Sequence, residues 1–188
     1  MTNNIEVIKV FADTSIINRI LDIRITRPKD CRWEEDRQYL YRLQQDYIKK
    51  GVVNLTVNPS IKLEIEKTAD PQRRKQLLAL FNKFHFISYN KTIFPFRFPA
   101  HFVTGEEKSD LKELCRKSRG FKKDEKIFLD AVSSRCVEVL LTTDRKHLTT
   151  KETRNYLKDK GLDKVVKIMK PKELYEYLQN RFLLPSSN

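Results

Sequence analysis

Glycine is scarce in this chain: Gly51, Gly105, Gly120 and Gly161 stand alone among 188 residues. Phosphate-cradling loops need clustered glycines for close backbone approach, so P-loop and dinucleotide-binding readings are excluded. Cysteine is as sparse. Cys31, Cys115 and Cys136 are odd in number and far apart. That fits reduced thiols in a cytosolic protein better than a disulfide framework or a zinc site. No apolar run approaches the roughly 18 residues of a membrane span. The opening Met-Thr-Asn-Asn-Ile-Glu has neither the basic flank nor the apolar stretch of a secretion signal, so a cytoplasmic location is expected. There are no internal repeats and no low-complexity tract. A single domain over 1–188 is expected, with its core over about 5–181 and a frayed tail at 185–188.

What the chain has in abundance is charge. Hydrophobic residues make up 39% and charged residues 34%, with a formal net charge of +13 and a pI near 9.7. The chain is therefore globular with a heavily charged surface. The positive balance points to a polyanionic partner, nucleic acid first and an anionic membrane surface second.

The organising stretch is E-V-I-K-V-F-A-D-T-S-I-I-N, residues 6–18. Val7, Ile8, Val10 and Phe11 form a nearly continuous apolar strand, the pattern of a buried parallel-sheet centre. Asp13 falls at its carboxyl end, where ligand crevices open in α/β sheets. A helix over 14 to about 25 and a loop over 26–32 are predicted next. A second helix over 33–50 is closed by Gly51, and a second strand covers 52–57. Asn58-Pro59 caps and starts a helix carrying Ile61, Glu64 and Ile65; Asp70-Pro71 starts another. A strand at 84–89 precedes an irregular connection over 90–105, rich in proline and phenylalanine. Helices at 106–118 and 124–135, a buried strand at 137–143, a polar helix at 150–160 and a strand at 165–169 follow. Pro171 opens the last helix. Strands separated by helices throughout mean a three-layer α/β/α sandwich with a mostly parallel central sheet.

Four carboxylates fall at the ends of these elements. Asp13 and Asp144 follow strands; Glu64 and Asp124 fall in the first turns of helices. Aspartate caps helices and acids suit the helix dipole, so each has a plain structural explanation. Asp124 fits that explanation least well. Ile127, Phe128 and Ala131 place it on its helix's own apolar stripe, where a carboxylate needs a cation, a metal or a neighbour. Oxygen ligands of this kind suit Mg²⁺ or Mn²⁺, and the chemistry of such a site on a polyanion is phosphodiester hydrolysis.

The segments F-A-D-T-S-I-I-N, P-S-I-K-L-E, D-E-K-I-F-L-D-A, L-L-T-T-D-R-K-H-L and V-K-I-M-K-P-K-E-L resemble, in order, the motifs of PIN domains. The resemblance covers most of the chain, from about Val7 to Leu178. It implies an α/β/α sandwich and a magnesium- or manganese-dependent ribonuclease acting on RNA. Many small prokaryotic members are toxins, which would add an antitoxin protein as partner; a homodimer is a further expectation. By resemblance Asp13, Glu64, Asp124 and Asp144 take the places of the acidic quartet, with Ser15 and Thr143 as supporting hydroxyls. The chain departs from the compact toxins by extra length at about 26–36 and 90–105. Arg145, Lys146 and His147 stand where a further acid often follows the fourth motif. Glu66 competes with Glu64, and Asp130 with Asp124.

Lys122, Lys123, Arg145 and Lys146 flank two of the aspartates and are candidates for holding RNA phosphates. His147 reads as a surface helix position, and Trp33 with the nearby tyrosines as packing residues. The competing functional class is a PIN-like domain that binds or scaffolds RNA without cutting it. A haloacid dehalogenase-like phosphatase would want an aspartate where Ser15 stands. A response-regulator receiver would want an acidic pair before the end of the first strand. The charge alone sets one expectation: affinity for RNA falls steeply with salt as counterions are released. Filter binding at low and moderate salt checks this, and an unchanged affinity contradicts it.

Overall fold

The computed structural model describes residues 7–24, 31–86, 127, 128, 131, 137–159 and 161–183. Within them the chain forms a three-layer α/β/α sandwich around a parallel sheet. The strands are β1 (Ile8–Ala12), β2 (Val53–Val57), β3 (His85–Phe86), β4 (Val139–Leu141) and β5 (Lys167–Met169), in the order β3-β2-β1-β4-β5. Every described pairing is parallel.

β1 is central because its sequence admits burial on both faces. Ile8, Val10, Phe11 and Ala12 are all fully buried. Val10 lies opposite Leu55 on one side and Val139 on the other. From β1 the chain moves outward through β2 to β3, then returns to build β4 and β5 on the opposite side. The direction of winding thus reverses at the β1/β4 border, and crevices for ligands open at the carboxyl ends of strands beside such a reversal.

The helices are α1 (Thr14–Arg24), α2 (Cys31–Leu43), α3 (Pro59–Glu66), α4 (Pro71–Phe81), α5 (Lys151–Asp159) and α6 (Pro171–Leu183). α1 packs with α3 and α4, and α2 packs with α6. Asn58 caps α3 by accepting the Ile61 N–H at 3.3 Å, and Asp70 caps α4 by accepting from Gln72 and Arg73. Both have proline in the first turn, where its missing N–H costs no hydrogen bond. Among the described residues, no helix is long and apolar enough to cross a membrane.

Several boundaries differ from expectation. α2 begins at Cys31, inside the stretch read as loop, and gives way at Gln44–Ile48 to a π-helical turn. The chain leaves that turn through Gly51 at φ +73°, a left-handed conformation with little penalty only for glycine. The strand expected from 165 starts at Lys167, because Leu162–Lys164 forms a 3-10 turn after Gly161. Ile127, Phe128 and Ala131 are helical and buried, as their spacing predicted. The 90–105 connection and the helix at 106–118 lie outside the described residues.

Phe11 lies between Thr56 of β2 and Leu140 of β4 and is fully buried. Phe11→Ala is expected to cost about 3–5 kcal/mol through lost contacts and the cavity left behind. A urea titration followed by circular dichroism checks this.

Candidate active site

Three of the four predicted acids come to the carboxyl edge of β1, β2 and β4. Asp13 directly follows β1, and its backbone N–H donates to the Leu141 carbonyl of β4 at 3.1 Å. Its carbonyl accepts from Ile16 at 3.0 Å, so the residue also caps α1. The side chain is 6% exposed. Its Oδ2 accepts the Ser15 hydroxyl at 2.8 Å and the Thr142 hydroxyl at 2.6 Å. Burial pushes the carboxyl above its ordinary value of 3.8; the Thr142 and Ser15 hydroxyls and the backbone N–H groups of Thr14 and Ser15 oppose that rise. No cation appears among these partners. The capping reading of Asp13 is thus realised, with its carboxylate held at the strand end by two hydroxyls.

Glu64 arrives by a different route. It lies in the second turn of α3, which carries no acid in its first turn, so the helix dipole does not account for its place. Ser60, Ile61 and Ile65 are buried around it, and Glu64 itself is half-buried. The Thr14 hydroxyl donates to its carboxylate. Glu66 is instead exposed beside Lys62 at 3.9 Å, so helical rotation turns Glu64 and not Glu66 toward the edge.

Asp144 is tied to the same edge through Thr142, whose hydroxyl accepts the Asp144 backbone N–H at 3.0 Å while donating to Asp13. The Asp144 carboxylate organises its own turn. Its Oδ2 accepts from the backbone of His147 at 2.9 Å and Leu148 at 2.7 Å, and its Oδ1 from Lys146 at 3.1 Å. The capping role expected for a lone aspartate is therefore filled. Oδ1 accepts a single N–H among the described residues, and a carboxylate oxygen has two acceptor positions. His147 lies in this turn rather than on a helix, with Nδ1 3.6 Å from Asp144 Oδ2.

The supporting hydroxyl differs from expectation. Thr142, not Thr143, reaches Asp13. Thr143 donates its backbone N–H to the Ser15 hydroxyl at 3.0 Å, and both residues line an adjoining cavity. In consecutive residues at a strand end the side chains diverge, and the motif alone does not say which one turns inward. Asp124, Asp130, Lys122 and Lys123 lie outside the described residues. Among the described residues, no three acidic, histidine or cysteine side chains gather closely enough to hold one metal ion.

The adjoining cavity, ≈570 Å³, opens beside this edge. Arg145 and Lys146 line it, together with Asn18, and Arg19, Asp22, Arg73 and Trp33 form more of its wall. These four were missed as site residues. A signal was present for α1: Ser15, Asn18, Arg19 and Asp22 recur at helical spacing opposite Ile16, Ile17 and Leu21. Arg145 does not project freely, since its Nη2 pairs with buried Asp36 at 3.0 Å.

The side chains that meet Asp13 and Glu64 at this edge are oxygen donors, and among the described residues Asp13 is a buried carboxylate without a counter-cation. Oxygen donors are the type that hard divalent ions take. Neither a protein-family model nor a curated protein matches the chain.

Because burial raises the Asp13 carboxyl, the folded chain keeps its proton at pH values where the unfolded chain has released it. Stability therefore falls as pH rises from about 3.8 through the raised folded value, and the cost is complete above it. Asp13→Asn removes that cost, and the two hydroxyls can rotate to serve an amide. The variant is expected to melt higher than wild type at neutral pH in EDTA, with the gain vanishing at strongly acid pH. Thermal melts across pH check both halves.

Proposed function

We propose that the chain is a metal-dependent endoribonuclease of the PIN type. The observation that carries this reading is the hydroxyl-bridged acidic edge, where Asp13, Glu64 and Asp144 are joined through Thr14 and Thr142 at a reversal of sheet winding. A carboxylate as buried as Asp13 costs stability without a cation, and a site that retains one has a use for it. Asp13 and Glu64 would hold Mg²⁺ or Mn²⁺, with Asp144 and Asp124 completing the quartet. The ion supplies an activated water and neutralises charge at the phosphate. Ser15 and Thr142 fix the rotamer of Asp13, and the excess of positive charge draws RNA to the edge.

The implied partners are RNA, an antitoxin protein if the chain is a toxin, and a second copy of the chain. One observation favours the runner-up, a PIN-like domain that binds RNA without cutting. The Asp144 carboxylate already holds three backbone N–H groups.

Cleavage of single-stranded RNA is expected with Mg²⁺ or Mn²⁺ and not with EDTA. Asp13→Asn and Asp124→Asn abolish it with the fold intact, while Asp130→Asn keeps most of it. Thr142→Val lowers the rate about 10–100-fold through loss of Asp13 positioning. Full cleavage by metal-stripped protein overturns the mechanism. RNA binding without cleavage under every metal condition selects the runner-up.

A further inference from the structure

The polar stripe of α1 is left over once the acidic edge is accounted for. Polar residues at i, i+3, i+4 and i+7 ordinarily face water. Here Asp22 is buried, and Ser15, Asn18 and Arg19 are half-buried. The stripe is held rigidly. Asp22 accepts Arg73 at 2.9 Å and Arg19 at 3.4 Å, and Arg73 also donates to the Asn18 side-chain oxygen at 2.8 Å. Asn18 in turn donates to the Thr14 carbonyl at 3.0 Å.

This bracing fixes the Arg19 guanidinium 3.8 Å from the centre of the Trp33 ring. Arg145 stands 5.4 Å from the same centre, braced by its pairing with Asp36. The result is a tryptophan ring approached by two braced guanidinium groups, in the wall of a cavity whose volume lies in the roughly 300–1,000 Å³ range of ligand sites. Four cationic side chains line it against two anionic ones. Thr143 and Asp144 belong to the same wall, so the cavity is continuous with the acidic edge.

We propose that this cavity is a nucleotide subsite that takes one base of single-stranded RNA against the Arg19–Trp33–Arg145 group, with the adjoining phosphate at Lys146. Unstacked bases are recognised by stacking on aromatic rings and guanidinium planes, and flanking phosphates by exposed lysine. A small anion alone would leave the ring and most of the volume unused. Bracing by Asp22 and Asp36 orders the guanidinium groups before binding, which lowers the entropy cost of ordering them on contact. The choice of RNA rests on the ribonuclease reading, whereas stacking at Trp33 does not require cleavage.

Trp33 is the only tryptophan in the chain, so its emission reports directly on the cavity. The test is a titration of intact protein in EDTA with a fluorescein-labelled RNA hexamer, reading Trp33 emission and probe anisotropy together. Saturable quenching by the hexamer, with none from inorganic phosphate at equal concentration, is expected. Trp33→Ala weakens binding about 10-fold, while Trp33→Phe keeps it within about 3-fold. Equal quenching by phosphate would make the cavity an anion site, and binding with Trp33 emission unchanged would place the bases elsewhere; either overturns the proposal. The wild-type emission needs no variant to fold. Mg²⁺-dependent cleavage is assayed separately. Quenching without cleavage sinks the nuclease reading alone, and cleavage with unchanged Trp33→Ala binding sinks the subsite alone.

Discussion

The hydroxyl of Thr142 holds together the two halves of the sheet's functional edge. It donates to the carboxylate at the end of β1 and accepts the backbone N–H of the residue that follows β4 by three positions. A hydroxyl does both at once, which neither a carboxylate nor an ammonium group does. Around it the Ser15 hydroxyl repeats the arrangement, accepting from Thr143 and donating to Asp13. The border of β1 and β4 is thus joined by its backbone ladder and again by paired hydroxyls beyond the ladder's end. The positions of Asp13 and Asp144 depend on that second joint.

Charge is segregated along this edge. Among the described residues, Asp13 has hydroxyl and backbone partners and no cation, whereas Asp22 and Asp36 are each paired with arginine. The acids on either side of the Ser15–Thr143 contact therefore differ in kind. Asp22 and Asp36 hold in place guanidinium groups that line the cavity. Asp13, at the carboxyl end of β1, is held instead by hydroxyls and backbone N–H groups, and its burial disfavours the charged form.

Much of the architecture was legible because burial leaves a strong imprint on parallel strands. Ile8, Val10 and Phe11 read as a central strand, and the sheet places them in its centre. The Asn58-Pro59 and Asp70-Pro71 pairs marked helix starts correctly, since cap and ring act locally. Glu64 over Glu66 required the helical phase of α3, which the flanking Ile61, Leu63 and Ile65 left open between helix and strand. Thr142 over Thr143 depended on which way the chain turns after β4. Trp33 read as a packing residue and the Arg19–Asp22–Arg73 group went unread because Arg73 of α4 lies some fifty positions from α1 and meets it only in the fold. Trp33, from the stretch set apart as extra length, lines the cavity, and Asp36 from the same stretch pairs with Arg145 of its wall.

The Asp13–Thr142 contact spans 129 positions of chain, and this has a consequence for synthesis. At about 5–20 residues per second, Asp13 leaves the ribosome's catalytic centre some ~6–26 s before Thr142 is added. During that interval β2 is made but β4 is not, and the acidic edge lacks its hydroxyl joint and Asp144. On the ribonuclease reading proposed above, this order of strands keeps the site incomplete while the chain is tethered to the RNA that is making it. An order that put β4 early would give up that protection.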